Sequence, residues 1–466
     1  MLISSPSFVW RLIMKFFITL LLVAFTSSCS DTPLVKPKNN DFVLTNVNIV
    51  DTENQIIQRN KTIAVSAGKI QAIASSAEVL STNNAQIIDG KGGYVTPGLI
   101  DMHVHMYEKA AFALALTHGV THVRIMNGVP NNLIWRDQIA KGQLIGSSAT
   151  VSSPIVSGYK SKDLHYAAHT AEDATAAVKQ FKAQGYDLIK AYGNLSEEVL
   201  SALIHSGKLL NMPIAKHGPH ASGDMHVSAL EGLQSFEHVE DIYQGPLNYK
   251  FDLSRLPVIA ADISATKVPI TPTLNIYYQL TMLSVQKESF LSSLPSEYIS
   301  DIISFEAKRN QVKRWLTATD KMASHNQKTL AFLQHITEVF SDAGITMLVG
   351  SDSGVLLSPH GVATHNEMRL MHEAGLTAHE VLAAATVNAA KALNLENELG
   401  KVSEDYQADF IFSKTNPIED MTVLREPEAV VKAGIWYSRQ ALTQLKLDAI
   451  ESRSIWEELK TLLEAL

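Results

Sequence analysis

The feature that most constrains the fold is a long alternation of short apolar runs with amphipathic segments. The alternation fills roughly 300 residues in the middle of the chain. Runs such as GVTHVRIM, YDLIKAYG and ITMLVGSDSG have the length of buried strands, whereas segments such as AEDATAAVKQFKAQ have the apolar spacing of a helix. This pattern predicts an α/β fold with a parallel sheet, and its length favours a (β/α)8 barrel of the TIM type. A doubly wound open sheet is the alternative on the pattern alone.

Short strand-like runs lie on both sides of this region, and their Gly, Asn and Asp punctuation indicates antiparallel strands. The simplest arrangement is a barrel of residues 97–396 inserted into a small β-sandwich domain made from residues 41–96 and 397–445. Residues from about 278 to 340 have a mostly helical pattern, and a connection of that length is typical of a cover over a site. Residues 446–466 predict a C-terminal amphipathic helix.

Composition excludes several classes of protein. The chain has 46% hydrophobic and 18% charged residues, which is typical of a globular protein. Its net charge is −8 and no basic tract is present, so we expect no nucleic-acid partner. Cys29 is the only cysteine, and the fold therefore contains no internal disulfide.

The N-terminal residues have the order of a secretory signal. Arg11 and Lys15 precede the apolar run FFITLLLVAF, and the small residues of TSSCSD follow it. The apolar run is too short to span a membrane. Residues 1–28 are therefore predicted to be a signal peptide and residues 29–40 a polar tether, on a protein exported to the bacterial envelope or periplasm.

Cys29 directly follows small residues, which resembles a bacterial lipoprotein signal and predicts a lipid anchor at this cysteine. Thr26 occupies a position where such signals usually have Leu, so an ordinary signal peptide is the alternative. Translation could start at Met1 or at Met14, and the sequence leaves both open. We expect contact with a membrane only through this anchor.

His103 and His105 stand one residue apart at the end of the apolar run GLIDMHVH. Residues i and i+2 of a strand point to the same side, so the two imidazoles face together. Two neutral imidazoles at this spacing can hold one side of a metal ion. The pair is weak evidence alone, because the chain has 17 histidines.

Four more polar residues lie in or at the ends of strand-like runs: Lys190 in DLIKAYG, His217 in IAKHG, His238 in SFEHVE and Asp352 in MLVGSDSG. Each has a structural alternative, because a lysine can extend to solvent, a histidine can pack and an aspartate can cap a turn. In a barrel, however, the C-terminal ends of all strands meet at one mouth. The residues together therefore predict a metal centre.

The run VTPGLIDMHVH, followed by IKAY, KHG, FEHV and GSDSG, resembles the amidohydrolase superfamily of metal-dependent hydrolases. The stretch EMRLMHEAGLTAHEVLAAATVNAAKALNLENELGKVSEDYQADFIF is similar to the C-terminal half of its prolidase-like and imidazolonepropionase-like group. The resemblance extends from about Phe42 to Ser438. It implies a (β/α)8 barrel with a companion β-sandwich.

Residue by residue, the resemblance implies six metal ligands: His103, His105, Lys190, His217, His238 and Asp352. The first-strand pair matches the ligands of the more buried ion, and His217 and His238 match those of the second. Lys190 matches a lysine that is carboxylated and bridges the ions. Asp352 matches a catalytic aspartate that contacts metal and moves a proton. Zinc suits this ligand set, and manganese, iron or cobalt could replace it.

Four residues are expected to contact substrate: Tyr192, Arg124, His220 and His360. Tyr192 lies two residues beyond Lys190 on the same side of the strand. The run KHGPHASGDMHVS departs from the commoner VHAHG and brings His220 close to His217 in sequence. The assignment of the fifth-strand ligand to His217 rests on its place at the end of the apolar run.

The sequence therefore predicts an exported, binuclear metal hydrolase of an amide-type C–N bond, in which a metal-bridged hydroxide attacks and Asp352 moves the proton. A dipeptidase or imidodipeptidase acting on short peptides is favoured. A cyclic amide hydrolase of the imidazolonepropionase type is one alternative, and a non-catalytic surface lipoprotein that binds a small ligand is another. Deamination is disfavoured, since mononuclear deaminases lack the carboxylated lysine. Assembly into a homo-oligomer is left open.

Overall fold

The computed structural model describes residues 41–76, 85–160, 165–218 and 226–465. These residues belong to one compact unit, Pro37–Leu466. The predicted signal peptide and tether, with Cys29, lie outside the described residues, as does His220. In the described part of the chain, no helix has both the length and the apolar character needed to cross a membrane.

Five strands precede the alternating region: β1 (Phe42–Asp51), β2 (Ile56–Ser66), β3 (Lys69–Ser75), β4 (Gln86–Asp89) and β5 (Tyr94–Pro97). The first three form an antiparallel meander, as predicted. The expectation of antiparallel pairing is wrong for β4, which pairs parallel to β1, and holds only in part for β5, which pairs parallel to β1 and antiparallel to a strand from the C-terminal part of the chain. Turn residues mark where a strand ends, but they do not fix the direction in which the chain enters the next one.

The alternating region contains nine strands among its described residues, and all their pairings are parallel. They are β6 (Leu99–Val104), β7 (Val120–Ile125), β8 (Ser148–Val151), β9 (Ile155–Ser157), β10 (His165–Ala167), β11 (Ile189–Ala191), β12 (Ile214–His217), β13 (Ser235–Glu237) and β14 (Ile270–Thr271). The longest, β6 and β7, are buried along their whole length. Burial on both faces is typical of a parallel sheet covered by helices.

Helices lie between and after these strands. The first six are α1 (Ala110–Thr117), α2 (Pro130–Ala140), α3 (Ala171–Ala183), α4 (Glu197–Leu210), α5 (Glu240–Gln244) and α6 (Leu256–Thr266). The side chain of Thr170 accepts a hydrogen bond from the Asp173 amide at the start of α3, and Ser196 does the same for Val199 at α4. These N-caps begin the helices where the sequence changes from turn to apolar periodicity.

The chain between β14 and residues 347–353, the last parallel segment, is mostly helical. This confirms the helical pattern predicted for residues from about 278 to 340. This stretch contains α7 (Leu274–Gln286), α8 (Glu288–Ser293), α9 (Asp301–Arg309), α10 (Gln311–Leu316) and α11 (Asp320–Asp342). On α7, the Asn275 amide donates to the Ser351 carbonyl and the Gln279 amide donates to the Leu356 carbonyl. This helix therefore contacts the loop that carries Asp352.

Most of the parallel pairings join strands that are neighbours in the sequence, and they form two sheets. One sheet has the order β6-β7-β8, and a second has the order β10-β9-β11-β12-β13-β14. Isolated parallel bridges connect Ser152 with Leu188, Ile270 with Met347 and Val104 with Ser353. Residues 347–353 thus pair with β14 on one side and with β6 on the other. Because the strands are parallel, their C-terminal ends lie on the same side.

Three helices follow the loop after Asp352: α12 (Val362–Glu373), α13 (Ala378–Ala384) and α14 (Val387–Ala392). The chain then adds three strands to the sheet that contains β1–β5, here called the first sheet: β15 (Phe410–Ser413), β16 (Ala429–Lys432) and β17 (Ile435–Ser438). The last described helices are α15 (Arg439–Glu451) and α16 (Ile455–Ala465). Strand β15 pairs antiparallel with β5, so one sheet contains strands from both parts of the chain. Its core, which includes Phe42, Leu44 and Phe410, is separate from the main core. The domain limits stay predictions.

Candidate metal centre

Three predicted ligands meet where β6 lies beside residues 347–353, the last parallel segment: His103, His105 and Asp352. The Nε2 atom of His105 lies 3.0 Å from Oδ1 of Asp352, and that of His103 lies 3.6 Å from the same oxygen. One ligand atom from each residue falls within 4.8 Å of the other two, so the three together could hold a metal ion. The alternation of side chains along a strand gives the histidine pair its common direction.

The backbone holds Asp352 in an uncommon conformation. Its φ is 52°, and its amide donates to the His103 carbonyl at 2.8 Å. A left-handed backbone at a non-glycine residue is uncommon and often marks a functional position. Burial raises the pKa of the Asp352 carboxyl, but His103 and His105 outweigh burial and hold the pKa well below its usual range. The carboxyl is therefore ionised at neutral pH and could serve as an anionic metal ligand.

Lys190 lies in β11 with its ammonium group enclosed. The residue is 2% exposed, and its Nζ has no hydrogen-bond partner among the described residues. Burial lowers the pKa of Lys190 to about 8, because an apolar environment disfavours the cation. A buried amine that has no hydrogen-bond partner and a lowered pKa fits the carboxylated lysine expected here. The carbamate would be a buried anion, and metal ions would be its partners.

His217 ends β12, and His238 directly follows β13. Their ring centroids lie 4.2 Å apart, and those of His103 and His238 lie 4.7 Å apart. Burial is the main cause that lowers the pKa of both residues well below the usual value, and each is therefore a neutral imidazole. Neutral imidazoles are common metal ligands, so both fit the predicted second ion.

A hydrogen bond shows which ring nitrogen of His238 is free. The Thr273 hydroxyl donates to the Pro272 carbonyl at 2.7 Å, so it accepts from Nδ1–H of His238, 2.6 Å away. This leaves Nε2 of His238 with a lone pair for metal. In His217 the Nδ1 atom has no partner, while Nε2 lies 3.5 Å from Oδ2 of Asp241.

Glu237, a residue that the sequence analysis missed, is fully buried directly behind His103. Its Oε2 lies 2.8 Å from Nδ1 of His103, and its Oε1 accepts from Nη2 of Arg124 at 2.6 Å. The sequence signal for Glu237 was a charged residue inside the strand-like run SFEHVE, but the prediction took only His238 from that run. A carboxylate in this position orients a ligating histidine.

Arg124 was expected to contact substrate, but the structure gives it other partners. It is fully buried, and besides Glu237 it donates from Nε to the Met102 carbonyl at 2.7 Å and from Nη1 to the Ser235 hydroxyl at 2.7 Å. Each of its three guanidinium nitrogens is thus hydrogen-bonded within the protein. The geometry makes Arg124 the partner that balances the charge of Glu237.

Two of the other expected substrate contacts, Tyr192 and His360, lie close to the centre. The Tyr192 ring lies 4.3 Å from the ring of His217, and burial raises the pKa of its hydroxyl. Nδ1 of His360 lies 2.8 Å from the Ser353 hydroxyl, next to Asp352.

The sequence analysis missed two acids that follow His238. Burial and the charge of Asp352 raise the pKa of Glu240 to about 7, and Asp241 is buried beside His217.

Comparisons with known proteins agree with this geometry. The family model described as the amidohydrolase family matches residues 94–436. Ochratoxinase of Aspergillus niger is 35% identical over 89 residues, which are 19% of this chain and 18% of that protein. Imidazolonepropionase of Idiomarina loihiensis is 34% identical over 58 residues, which are 12% of this chain and 14% of that protein. The matched regions thus span less than a fifth of these curated relatives.

Two solved structures are similar over nearly the whole chain. Bottromycin amidohydrolase has a TM-score of 0.73 at 20% identity, covering 90% of this chain and 91% of that one. A Xaa-Pro dipeptidase with bound methionine has a TM-score of 0.65 at 20% identity, covering 85% of this chain and 100% of that one. At this identity the likeness concerns the fold, and it implies a TIM-type barrel.

Proposed function

The chain belongs to the amidohydrolase family, and from this premise we propose that it is a metal-dependent hydrolase of an amide-type C–N bond. The proposal includes closure of the parallel strands into a (β/α)8 barrel. The parallel bridge between Val104, in the first strand of the region, and Ser353, in the last parallel segment, supports this closure. The metal centre that we propose would lie at the C-terminal ends of the strands, where barrel enzymes carry their active sites.

The observation that carries the proposal is the convergence of His103, His105 and Asp352 beside the unpaired amine of Lys190. We infer two divalent ions, with zinc the best match to imidazole, carboxylate and carbamate ligands. His103, His105 and Asp352 would hold one ion, His217 and His238 the other, and a carboxylated Lys190 would lie between them. When bound, the ions would lower the pKa of water and polarise the scissile carbonyl.

The remaining chemistry belongs to the protein. Asp352 is anionic and close to both histidines of the first strand, so its free oxygen can accept a proton from the attacking water and pass it to the leaving amine. Glu237 keeps Nδ1 of His103 protonated, so the lone pair on Nε2 would be available to hold a metal ion. The ring of Tyr192 against His217 supports a substrate contact for its hydroxyl at the mouth.

A dipeptidase or imidodipeptidase is the favoured activity, because the similar solved structures include a Xaa-Pro dipeptidase. A cyclic amide hydrolase is the second candidate, favoured by the match to an imidazolonepropionase. Both reactions need the same metal centre and proton shuttle. They differ in the substrate that the mouth admits.

The deciding experiment assays metal-stripped and zinc-loaded protein against Xaa-Pro dipeptides, other dipeptides, N-acyl amino acids and cyclic amides, with an ammonia assay for deamination. We expect zinc-dependent release of amino acids from dipeptides, and strong loss of rate with Asp352→Asn. Ring opening of cyclic amides alone would favour the second candidate. A protein that holds zinc but hydrolyses none of these compounds would favour a ligand-binding lipoprotein.

We further propose that the protein is exported and carries lipid at Cys29, on the basis of its signal-like N-terminus. Intact mass of the protein extracted from membranes would show the mass of the lipid on a chain that begins at Cys29. A mature chain without lipid that begins at another residue would contradict the anchor and leave an ordinary signal peptide.

A further inference from the structure

The loop that leaves β6 is held by a residue from the far end of the chain. Glu108 lies three residues after His105 and is 5% exposed. Arg453, between α15 and α16, donates from Nε to Oε2 of Glu108 at 2.8 Å and from Nη2 to Oε1 at 3.0 Å. Two parallel bonds of this kind fix the orientation of a carboxylate as well as its position.

Further contacts place the C-terminal helices beside the same loops. The Nη1 atom of Arg453 donates to the Glu297 carbonyl. The Asn131 amide, at the start of α2 after β7, donates to the Thr461 hydroxyl of α16 at 2.8 Å. Helix α16 packs against α2 and α9, and α15 packs against α1. The C-terminal segment therefore borders the loops after β6 and β7, on the side where the metal centre lies.

The orientation of His105 depends on how the chain is held on both sides of it. Its own amide donates to the Ser353 carbonyl at 2.8 Å, which fixes its backbone against the last parallel segment. Downstream, the Asn132 amide donates to the Met106 carbonyl at 2.8 Å. After that contact, two side chains of the loop bond to other parts of the fold: the Tyr107 hydroxyl accepts from the Asn127 amide at 3.4 Å, and the buried carboxylate of Glu108 accepts from Arg453.

We propose that Arg453 is a positioning residue for the metal centre. Through Glu108 it holds the loop after β6, and thereby His105, in the orientation that binds metal. The C-terminal helices are then part of the site rather than an appended tail. This inference rests on the metal-dependent function proposed above.

A merely structural ion pair would also lower stability when broken, so the variants must separate stability from metal affinity. Arg453→Ala leaves Glu108 buried without its cation. The double change Arg453→Met with Glu108→Gln removes both charges and so relieves that penalty. The matched control is Arg439→Ala, an exposed arginine at the start of α15 that pairs with Glu428, the residue before β16.

The experiment measures three quantities on the full-length protein: zinc affinity by chelator competition, the melting temperature, and hydrogen exchange of amides 106–110 without zinc. For Arg453→Ala we expect about a tenfold loss of zinc affinity and faster exchange in the loop. The double variant should regain melting temperature but not zinc affinity. Arg439→Ala should keep the zinc affinity and loop exchange of the wild type.

Two results would overturn the proposal. One is an Arg453→Ala protein that folds and binds zinc as tightly as the wild type. The other is a double variant whose zinc affinity recovers together with its melting temperature, which would show that the pair acts through stability alone. If the wild-type protein itself binds no zinc, the proposed function fails, and this inference falls with it. Zinc binding by the wild type with no effect of the variants overturns only the inference.

Discussion

Nδ1 of His103 lies 2.8 Å from Oε2 of Glu237, and neither side chain is more than 1% exposed. Burial raises the pKa of Glu237, but Arg124 and His103 outweigh burial and hold the pKa well below its usual range. The carboxylate is therefore ionised and accepts from Nδ1–H of His103. The lone pair of the imidazole is left on Nε2, which faces Asp352.

Glu237→Gln tests this relationship. The amide can still form hydrogen bonds, but it no longer balances Arg124 or fixes the tautomer of His103. We expect zinc affinity to fall about 10–100-fold, as it does when outer partners of ligating histidines are lost. Stability should fall by about 3 kcal/mol, because Arg124 is left as an unpaired buried charge. Chelator competition and denaturant unfolding measure the two effects, with exposed Glu231→Gln as the control.

Lys190→Ala tests the bridging role. The change removes the only side chain expected to contact both ions, so most of the metal and most of the activity should be lost. Short-chain carboxylic acids should restore part of both, since a carboxylate can occupy the place of the carbamate. Metal content and kcat are measured together, and Lys179→Ala, at an exposed position of α3, is the control. Full metal content and full rate in Lys190→Ala would rule out the bridge.

Asp352→Asn separates proton transfer from metal binding. Asparagine keeps the size and one oxygen, so the metal should largely stay. The amide cannot accept a proton from water, and kcat should fall about 10²–10⁴-fold. His103→Ala or His238→Ala should instead lose metal and respond to added zinc. If Asp352→Asn keeps both metal and wild-type rate, another group near the mouth, such as His360, moves the proton.

Stability should depend on pH through His122, which lies away from the metal centre. Its ring is hydrogen-bonded to the hydroxyls of Ser148 and Thr150, and burial lowers its pKa to about 3. In the unfolded chain its pKa is about 6.5, so below that pH the unfolded state binds more protons. Its contribution to the free energy of unfolding should therefore decrease as pH falls from about 6.5 to about 3, by about 1.4 kcal/mol per pH unit.

The measurement is denaturant unfolding of metal-stripped protein at several pH values, so that loss of metal in acid does not contribute. His122→Gln keeps the polar contacts but cannot titrate, and it should show a smaller slope with pH. His205→Gln, at an exposed position, should leave the slope unchanged. Equal slopes for His122→Gln and the wild type would contradict the assignment.

Local pattern was sufficient to predict the elements around the site. The alternation of apolar runs with amphipathic segments predicted the parallel strands, because burial on both faces demands continuous apolar residues. The i, i+2 spacing predicted that His103 and His105 face together. The apolar runs also placed Lys190 inside a strand and His217 at the end of one, as β11 and β12 have them.

Other features depended on residues far apart in the chain. Turn residues did not show that β4 and β5 run parallel to β1, because strand direction follows from the path of the chain through space. Arg124 was expected at the substrate, and only the fold places Glu237 beside it, 113 residues later in the sequence. No periodicity links Glu108 with Arg453, 345 residues away.

The sequence by itself therefore determined which residue types stand at the strand ends, and hence the ligands that a metal would need. The tertiary structure decided the partners of those ligands: Glu237 behind His103, Thr273 behind His238, and Arg453 on the loop after His105. The physical reason is that secondary structure follows from the spacing of neighbouring residues. A buried charge, in contrast, is tolerated only where folding brings it a partner, and that partner can come from any part of the chain.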